Sequence, residues 1–170
     1  DQEYTFLSQG YQAKYTLNVG TQFTDNFFFG ANLNSHIINY DQSTFLFEAN
    51  DNEGSTVDRV RFEENLSVLG AGFSAQIGAI AKVGDGFRLG LSLETPTYFT
   101  ISEETSQAIE TRRLQDDDTF NEVVAPGVIN VYPDYNLRTP GKVTASAAYI
   151  FGGEGLISFD YGYKAYSNIE

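Results

Sequence analysis

The stretch Tyr11-Gln12-Ala13-Lys14-Tyr15-Thr16-Leu17-Asn18-Val19-Gly20-Thr21-Gln22-Phe23 decides the fold. Taking every second residue gives Tyr11, Ala13, Tyr15, Leu17, Val19, Thr21 and Phe23, a mostly apolar set. The residues between them are Gln12, Lys14, Thr16, Asn18, Gly20 and Gln22, all polar or glycine. A helix, with 3.6 residues per turn, would mix the two sets. A strand points successive side chains to opposite faces and keeps them apart. Thr24-Asp25-Asn26 then reads as a tight turn, and a second strand runs from Phe27 to about Glu48. It places Phe27, Phe29, Ala31, Leu33 and Ile37 opposite Phe28, Gly30, Asn32, Asn34 and His36.

The same alternation recurs along the chain. A third strand, about 61–83, sets Leu69, Ala71, Phe73, Ala75, Ile77, Ala79, Ala81 and Val83 against Ser74, Gln76, Gly78 and Lys82. Gly84-Asp85-Gly86 is a second tight turn, made of residues that tolerate positive φ. A fourth strand starts at Phe87 and carries Leu89, Leu91 and Leu93 against Arg88, Gly90, Ser92 and Glu94. A fifth, about 128–151, sets Val143, Ala145, Ala147, Tyr149 and Phe151 against Lys142, Thr144 and Ser146. After a third short turn at Gly152-Gly153-Glu154-Gly155, a sixth sets Ile157, Phe159, Tyr161 and Tyr163 against Ser158, Asp160 and Gly162. The other connections read as long polar loops, 49–60 and about 103–127. Short turns thus alternate with long loops, and aromatic residues gather beside the short turns. The pattern predicts an all-β fold: an antiparallel up-and-down transmembrane β-barrel of which about six strands are present, its apolar set facing lipid and its polar set a wet lumen. A soluble β-sandwich binding domain accounts for the alternation equally well, but not for the strict alternation of turn length.

Composition limits the alternatives. The 170 residues hold 15% aromatics, no Cys, Met or Trp, and a net charge of −13. Without cysteine there is no disulfide framework and no thiol chemistry. The acidic balance and the lack of a basic stripe speak against a nucleic-acid partner. Thirteen of the 23 acidic residues fall in 48–64 and 103–122, which assigns the acidity to loops. No run of 18 apolar residues offers a transmembrane helix, and Asp1-Gln2-Glu3 does not open a signal peptide. Six strands cannot close around an aqueous lumen, and an open sheet edge is excluded from hydrocarbon. Residues 1–170 are therefore expected to be an internal portion of a longer barrel chain, with further strands missing from its C-terminal side.

Two stretches carry a resemblance. One is Asn136-Leu137-Arg138-Thr139-Pro140-Gly141-Lys142-Val143, continuing through Ala148-Tyr149-Ile150-Phe151-Gly152 and Gly155-Leu156-Ile157-Ser158-Phe159-Asp160-Tyr161. The other is Leu91-Ser92-Leu93-Glu94-Thr95-Pro96-Thr97-Tyr98-Phe99. Both resemble the FadL-type long-chain fatty acid transporters of the bacterial outer membrane, in the versions found in Bacteroidetes-type bacteria. The resemblance implies a 14-stranded barrel with a small N-terminal hatch, which this chain lacks. It also implies passive passage of hydrophobic molecules such as long-chain fatty acids, with outer-membrane lipid and those small molecules as partners. Similar barrels serve as carriers in protein secretion, so other outer-membrane or secretion proteins are a second class of partner.

Candidate site residues follow from parity. Arg88, Glu94 and Lys142 face the lumen, where they pair across strands or meet a substrate carboxylate. His36, the only histidine, also faces it, as a polar lining residue rather than a metal ligand. Tyr98 and Arg138 are placed on the same substrate path, near the outer mouth. Pro96 and Pro140 interrupt strands, because proline removes a ladder donor, and are read as bulges near the rim or as a kink that opens the wall. Asp116-Asp117-Asp118 has the oxygens that Ca²⁺ prefers but matches no loop motif, and reads as a solvated acidic loop. No cofactor, metal or catalytic arrangement is expected, and no enzyme activity.

Overall fold

The computed structural model describes residues 1–52, 55–115 and 118–168. Among them the fold is all-β, with ten strands and a single 3-10 turn at Tyr166–Asn168. The strands are β1 (Gln2–Thr24), β2 (Phe27–Ala49), β3 (Val57–Val83), β4 (Phe87–Glu94), β5 (Tyr98–Gln115), β6 (Asp118–Val124), β7 (Asn130–Val131), β8 (Tyr135–Arg138), β9 (Lys142–Phe151) and β10 (Gly155–Lys164). The residues divide into two compact units. One comprises Asp1–Gln12, Ile38–Leu69 and Ile101–Asp134; the other comprises Ala13–Ile37, Gly70–Thr100 and Tyr135–Glu170.

In the second unit the strand order is β1-β2-β3-β4-β9-β10. Segments of all six strands expected from alternation lie side by side here, the fourth as β4 and the fifth as β9. β3–β4, β4–β9 and β9–β10 pair antiparallel, with Val83 opposite Phe87, Phe87 opposite Tyr149 and Phe151 opposite Gly155. The three short turns fall where expected. Gly84 (φ 67°) and Gly152 (φ 56°) take the left-handed conformation that a side chain would strain. Thr24 closes the first turn instead, its hydroxyl accepting from the Phe27 N–H at 3.1 Å.

Alternation then becomes a difference between faces. On one face Leu17, Val19, Phe29, Leu33, Phe73, Ile77, Leu91, Val143, Ile157 and Phe159 are all exposed. On the other, Asn34, His36 and Ser74 are buried. This inverts the arrangement of a water-soluble sheet, in which apolar side chains are covered and polar ones solvated.

In the first unit β1, β2 and β3 lie in order, β5 pairs with β3, and β6 and β7 pair with β5. Here the sequence expectation needs correction. The acidic stretch 103–127 is largely a hairpin of β5 and β6, with Ile109 opposite Val124 and Arg112 opposite Asn121. Glu103, Glu104, Glu110 and Glu122 are strand residues, so the acidity does not belong to loops. Ladder hydrogen bonds and pairs such as Arg113–Glu122 at 3.2 Å suffice to hold a strand whose two faces are both polar. The loop expected at 49–60 shrinks likewise to 50–56, since β3 starts at Val57. The expected fifth strand, 128–151, is three short pieces, β7, β8 and β9. Asp116 and Asp117 of the triple-aspartate candidate lie outside the described residues.

Candidate functional site

The polar face of the second unit is built from rows of side chains that cross neighbouring strands. The Thr16 hydroxyl donates to Asn34 Oδ1 at 2.9 Å, and Asn34 Nδ2 donates to Ser74 Oγ at 3.1 Å. The next row joins Asn18 to Asn32, then Asn32 Nδ2 to Gln76 Oε1 at 3.0 Å, then Gln76 Nε2 to Ser92 Oγ at 2.8 Å. Each amide spends its donor on the following strand. Buried or half-buried polar groups are costly unless partnered, and these rows supply the partners. Beside the second row, Gly20, Gly30, Gly78 and Gly90 floor a concavity of about 410 Å³.

His36 lies in this network, as parity indicated. Its Nε2 is 3.0 Å from Ser74 Oγ, and its ring meets Phe99 edge-on at 5.6 Å. The cluster Asn34, His36, Ser74, Thr97 and Phe99 is the most deeply buried part of the unit. Glu94 sits opposite Lys142 in the β4–β9 register, but its ion pair is with Lys14, at 3.8 Å. Lys14 belongs to β1, three strands away in the sheet order, so this unit's sheet must curl for the two groups to meet. Arg88 stands apart. It is opposite Lys82 near the second short turn and donates to the Phe87 carbonyl at 2.8 Å. Lys82 places its ammonium 4.5 Å from the centre of the Phe28 ring.

Both prolines mark breaks, and the breaks adjoin each other. Residues 95–97 separate β4 from β5, and 139–141 separate β8 from β9. A Cβ on Gly141 would lie 3.3 Å from Pro96 Cδ and 2.7 Å from the Glu94 carbonyl, so only glycine lets the two strands pass so closely. Threonines repair the ladder that the prolines interrupt. The Ala75 N–H donates to the Thr95 hydroxyl at 3.0 Å, and the Thr97 N–H to the Thr139 hydroxyl at 3.3 Å.

The first break has a consequence that strict alternation misses. Before it, Ser92 and Glu94 share the polar face; after it, that face takes Thr97 and Phe99. One extra residue has been inserted, as in a bulge, and every later side chain changes sides. Tyr98 therefore lies on the apolar face, its ring 6.0 Å from that of Phe73. Arg138 lies with it, its guanidinium 5.6 Å from the Tyr98 ring centre. Both were expected on the face of His36, and both are corrected to the opposite one. Phe99, Lys14 and Ser74, which parity alone did not single out, take part in the site instead.

The first unit holds a charged cluster of its own. Arg112 Nε donates to both carboxylate oxygens of Asp58 at 2.9 Å, and its Nη2 also bonds Asp58. These hydrogen bonds hold the Asp58 carboxyl below its ordinary 3.8; burial opposes them, and the charges of Arg112 and Arg59 add. A carboxyl whose folded value is depressed contributes stability above its ordinary value and loses it as pH falls through the folded one. The stability gap between the native protein and Asp58→Asn, read from urea midpoints, is thus expected to stay constant from pH 7 to about 5 and to close below 3.8. A gap that is unchanged at pH 3 would contradict the pairing. Among the described residues no group of three or more His, Cys, Asp or Glu could hold a metal ion.

No protein-family model matches the chain, and no curated protein is significantly similar to it.

Proposed function

We propose that this chain forms part of the wall of an outer-membrane β-barrel that passes hydrophobic molecules, such as long-chain fatty acids, without coupling to an energy source. One observation carries the reading: the second unit exposes a whole sheet face of large apolar side chains while burying polar ones on the other. Soluble proteins rarely expose contiguous apolar patches beyond a few hundred Å². A bilayer reverses the solvent and makes the arrangement favourable.

Dimensions support the same reading. On the apolar face, Phe87, Tyr149 and Phe151 cluster beside the short turns, with ring centroids 6.2 and 4.9 Å apart. Eleven residues further along the β4–β5 line come Tyr98 and Arg138. At ~3.3 Å per residue and a tilt of ~40°, that separation is roughly 28 Å of height, close to the ~25 Å apolar band between aromatic girdles of such barrels. β1 and β10, the ends of the strand order, would each take a further strand of the barrel as neighbour, since their outer backbone groups would otherwise meet hydrocarbon unsatisfied. The two stretches resembling FadL-type transporters support hydrophobic cargo in particular.

Mobility of the native protein on an electrophoresis gel, heated and unheated in detergent, tests the barrel. A folded barrel migrates differently from its heated form, whereas a water-soluble monomer that needs no detergent would sink the reading. Uptake of a labelled long-chain fatty acid by a deletion strain tests the cargo. Normal uptake with loss of surface proteins would assign the barrel to protein secretion instead.

A further inference from the structure

The sequence of the first unit holds seventeen acidic residues against four cations, all arginine. Three of the four, Arg59, Arg61 and Arg112, line one small concavity of about 190 Å³ together with Phe47, Glu110 and Asn121. Two carboxylates accompany them, Asp58 on Arg112 and Glu110 on Arg61, so three cations gather around one concavity with two partners between them.

Each arginine is held differently. Arg112 is fixed by Asp58 through Nε and Nη2, which leaves its Nη1 edge free of that bond. Arg61 lies 5.5 Å from the centre of the Phe45 ring and only 3.5 Å, a long contact, from Glu110 Oε2. That pair is more than a third exposed on both sides, so it is weak. Arg59 forms no ion pair among the described residues. A guanidinium presents five N–H donors in a planar fork that matches oxyanions. Three such groups around one concavity, one held by a carboxylate and one beside an aromatic ring, can offer an oxyanion several donors at once.

We propose that Arg59, Arg61 and Arg112 form a binding site for a phosphate group, independent of whatever crosses the barrel. Phosphate is favoured over a carboxylate because three arginines line the concavity, and a phosphate offers more acceptor oxygens to their remaining donors than a carboxylate does. The group comes either as a phosphoester on a sugar headgroup or as free phosphate, and the two sources share this recognition chemistry.

The test is calorimetric titration of the native protein in a non-ionic detergent with glucosamine 1-phosphate and, separately, with inorganic phosphate. Saturable binding is expected for at least one, weakened at least tenfold in the double variant Arg59→Gln/Arg61→Gln and weakened by added NaCl. Tighter binding of the sugar phosphate would identify an ester-borne group; equal or tighter binding of inorganic phosphate would identify the free ion. Arg59 and Arg61 are exposed, so the variant is expected to keep the parent's circular dichroism spectrum. Absence of saturable binding of both probes, or equal binding by the variant, overturns the proposal without touching the barrel reading. Loss of heat-modifiable mobility with phosphate binding intact would do the reverse.

Discussion

Leu91→Arg is expected to destabilise the protein by ~2–4 kcal/mol in a phospholipid bilayer, the cost of an arginine on the lipid face at mid-membrane depth. Leu91 is 51% exposed in the structure. Its partners on the two neighbouring strands are Ala79 and Ala145, so a longer side chain meets no steric obstacle there. The substitution therefore isolates the question of which solvent meets that face. If water did, replacing a half-exposed leucine by arginine would change stability within about 0.5 kcal/mol. In hydrocarbon the guanidinium must lose its hydration or distort the bilayer. Thr144→Arg is the matched control: Thr144 is opposite Ser92, one residue from Leu91 in height, but on the polar face. Its cost is expected to be small. Urea titration of the variants folded into vesicles gives both numbers, and equal costs for the two would remove the argument for a lipid-facing sheet.

The same reversal of faces explains why much of this fold could be read from sequence. β1, β9 and β10 announce themselves because an apolar face on one side and a polar one on the other enforce period two over ten or more residues. Gly84 and Gly152 mark their turns because little else tolerates a positive φ. The hairpin of β5 and β6 was missed for the complementary reason. Glu103-Glu104-Thr105-Ser106-Gln107 has polar residues at every position, so no periodicity exists to detect, and the strand is held by partners distant in sequence.

The candidate site was legible in part. Pro96 and Pro140 announced their breaks, but parity cannot register a residue that drops out of the ladder, and so it misplaced Tyr98 and Arg138. His36 and Glu94 were assigned to the correct face. Their partners were not legible: Lys14 meets Glu94 only through the curl of a sheet, and curvature leaves no periodic trace.

Phe99→Ala is expected to cost ~3–5 kcal/mol, the range for removing a buried aromatic ring, at a position that the proline break alone controls. Phe99 is only 5% exposed in a unit whose other large apolar side chains are mostly uncovered. It lies over Gly72, where a Cβ would come within 2.6 Å of Phe99 Cδ1 and 2.7 Å of the Tyr98 carbonyl. Glycine at 72 thus makes the floor on which the ring rests, and the His36 edge closes one side. The extra residue in the break is what turns Phe99 toward this cluster rather than toward the apolar face. Ring packing and the shift of alternation accordingly stabilise each other. Gly72→Ala tests the same contact from beneath: its Cβ would stand under 3.0 Å from both the ring and the Tyr98 carbonyl, so ring or strand must shift and a clear loss of stability is expected. If the ring anchors the break, both variants should also speed proteolysis at 95–97, whereas a uniformly weakened sheet would be cut no faster there than elsewhere. A loss for Phe99→Ala below about 1 kcal/mol, far under the usual range for a buried ring, would mean that the prolines alone set the register and the aromatic merely fills space.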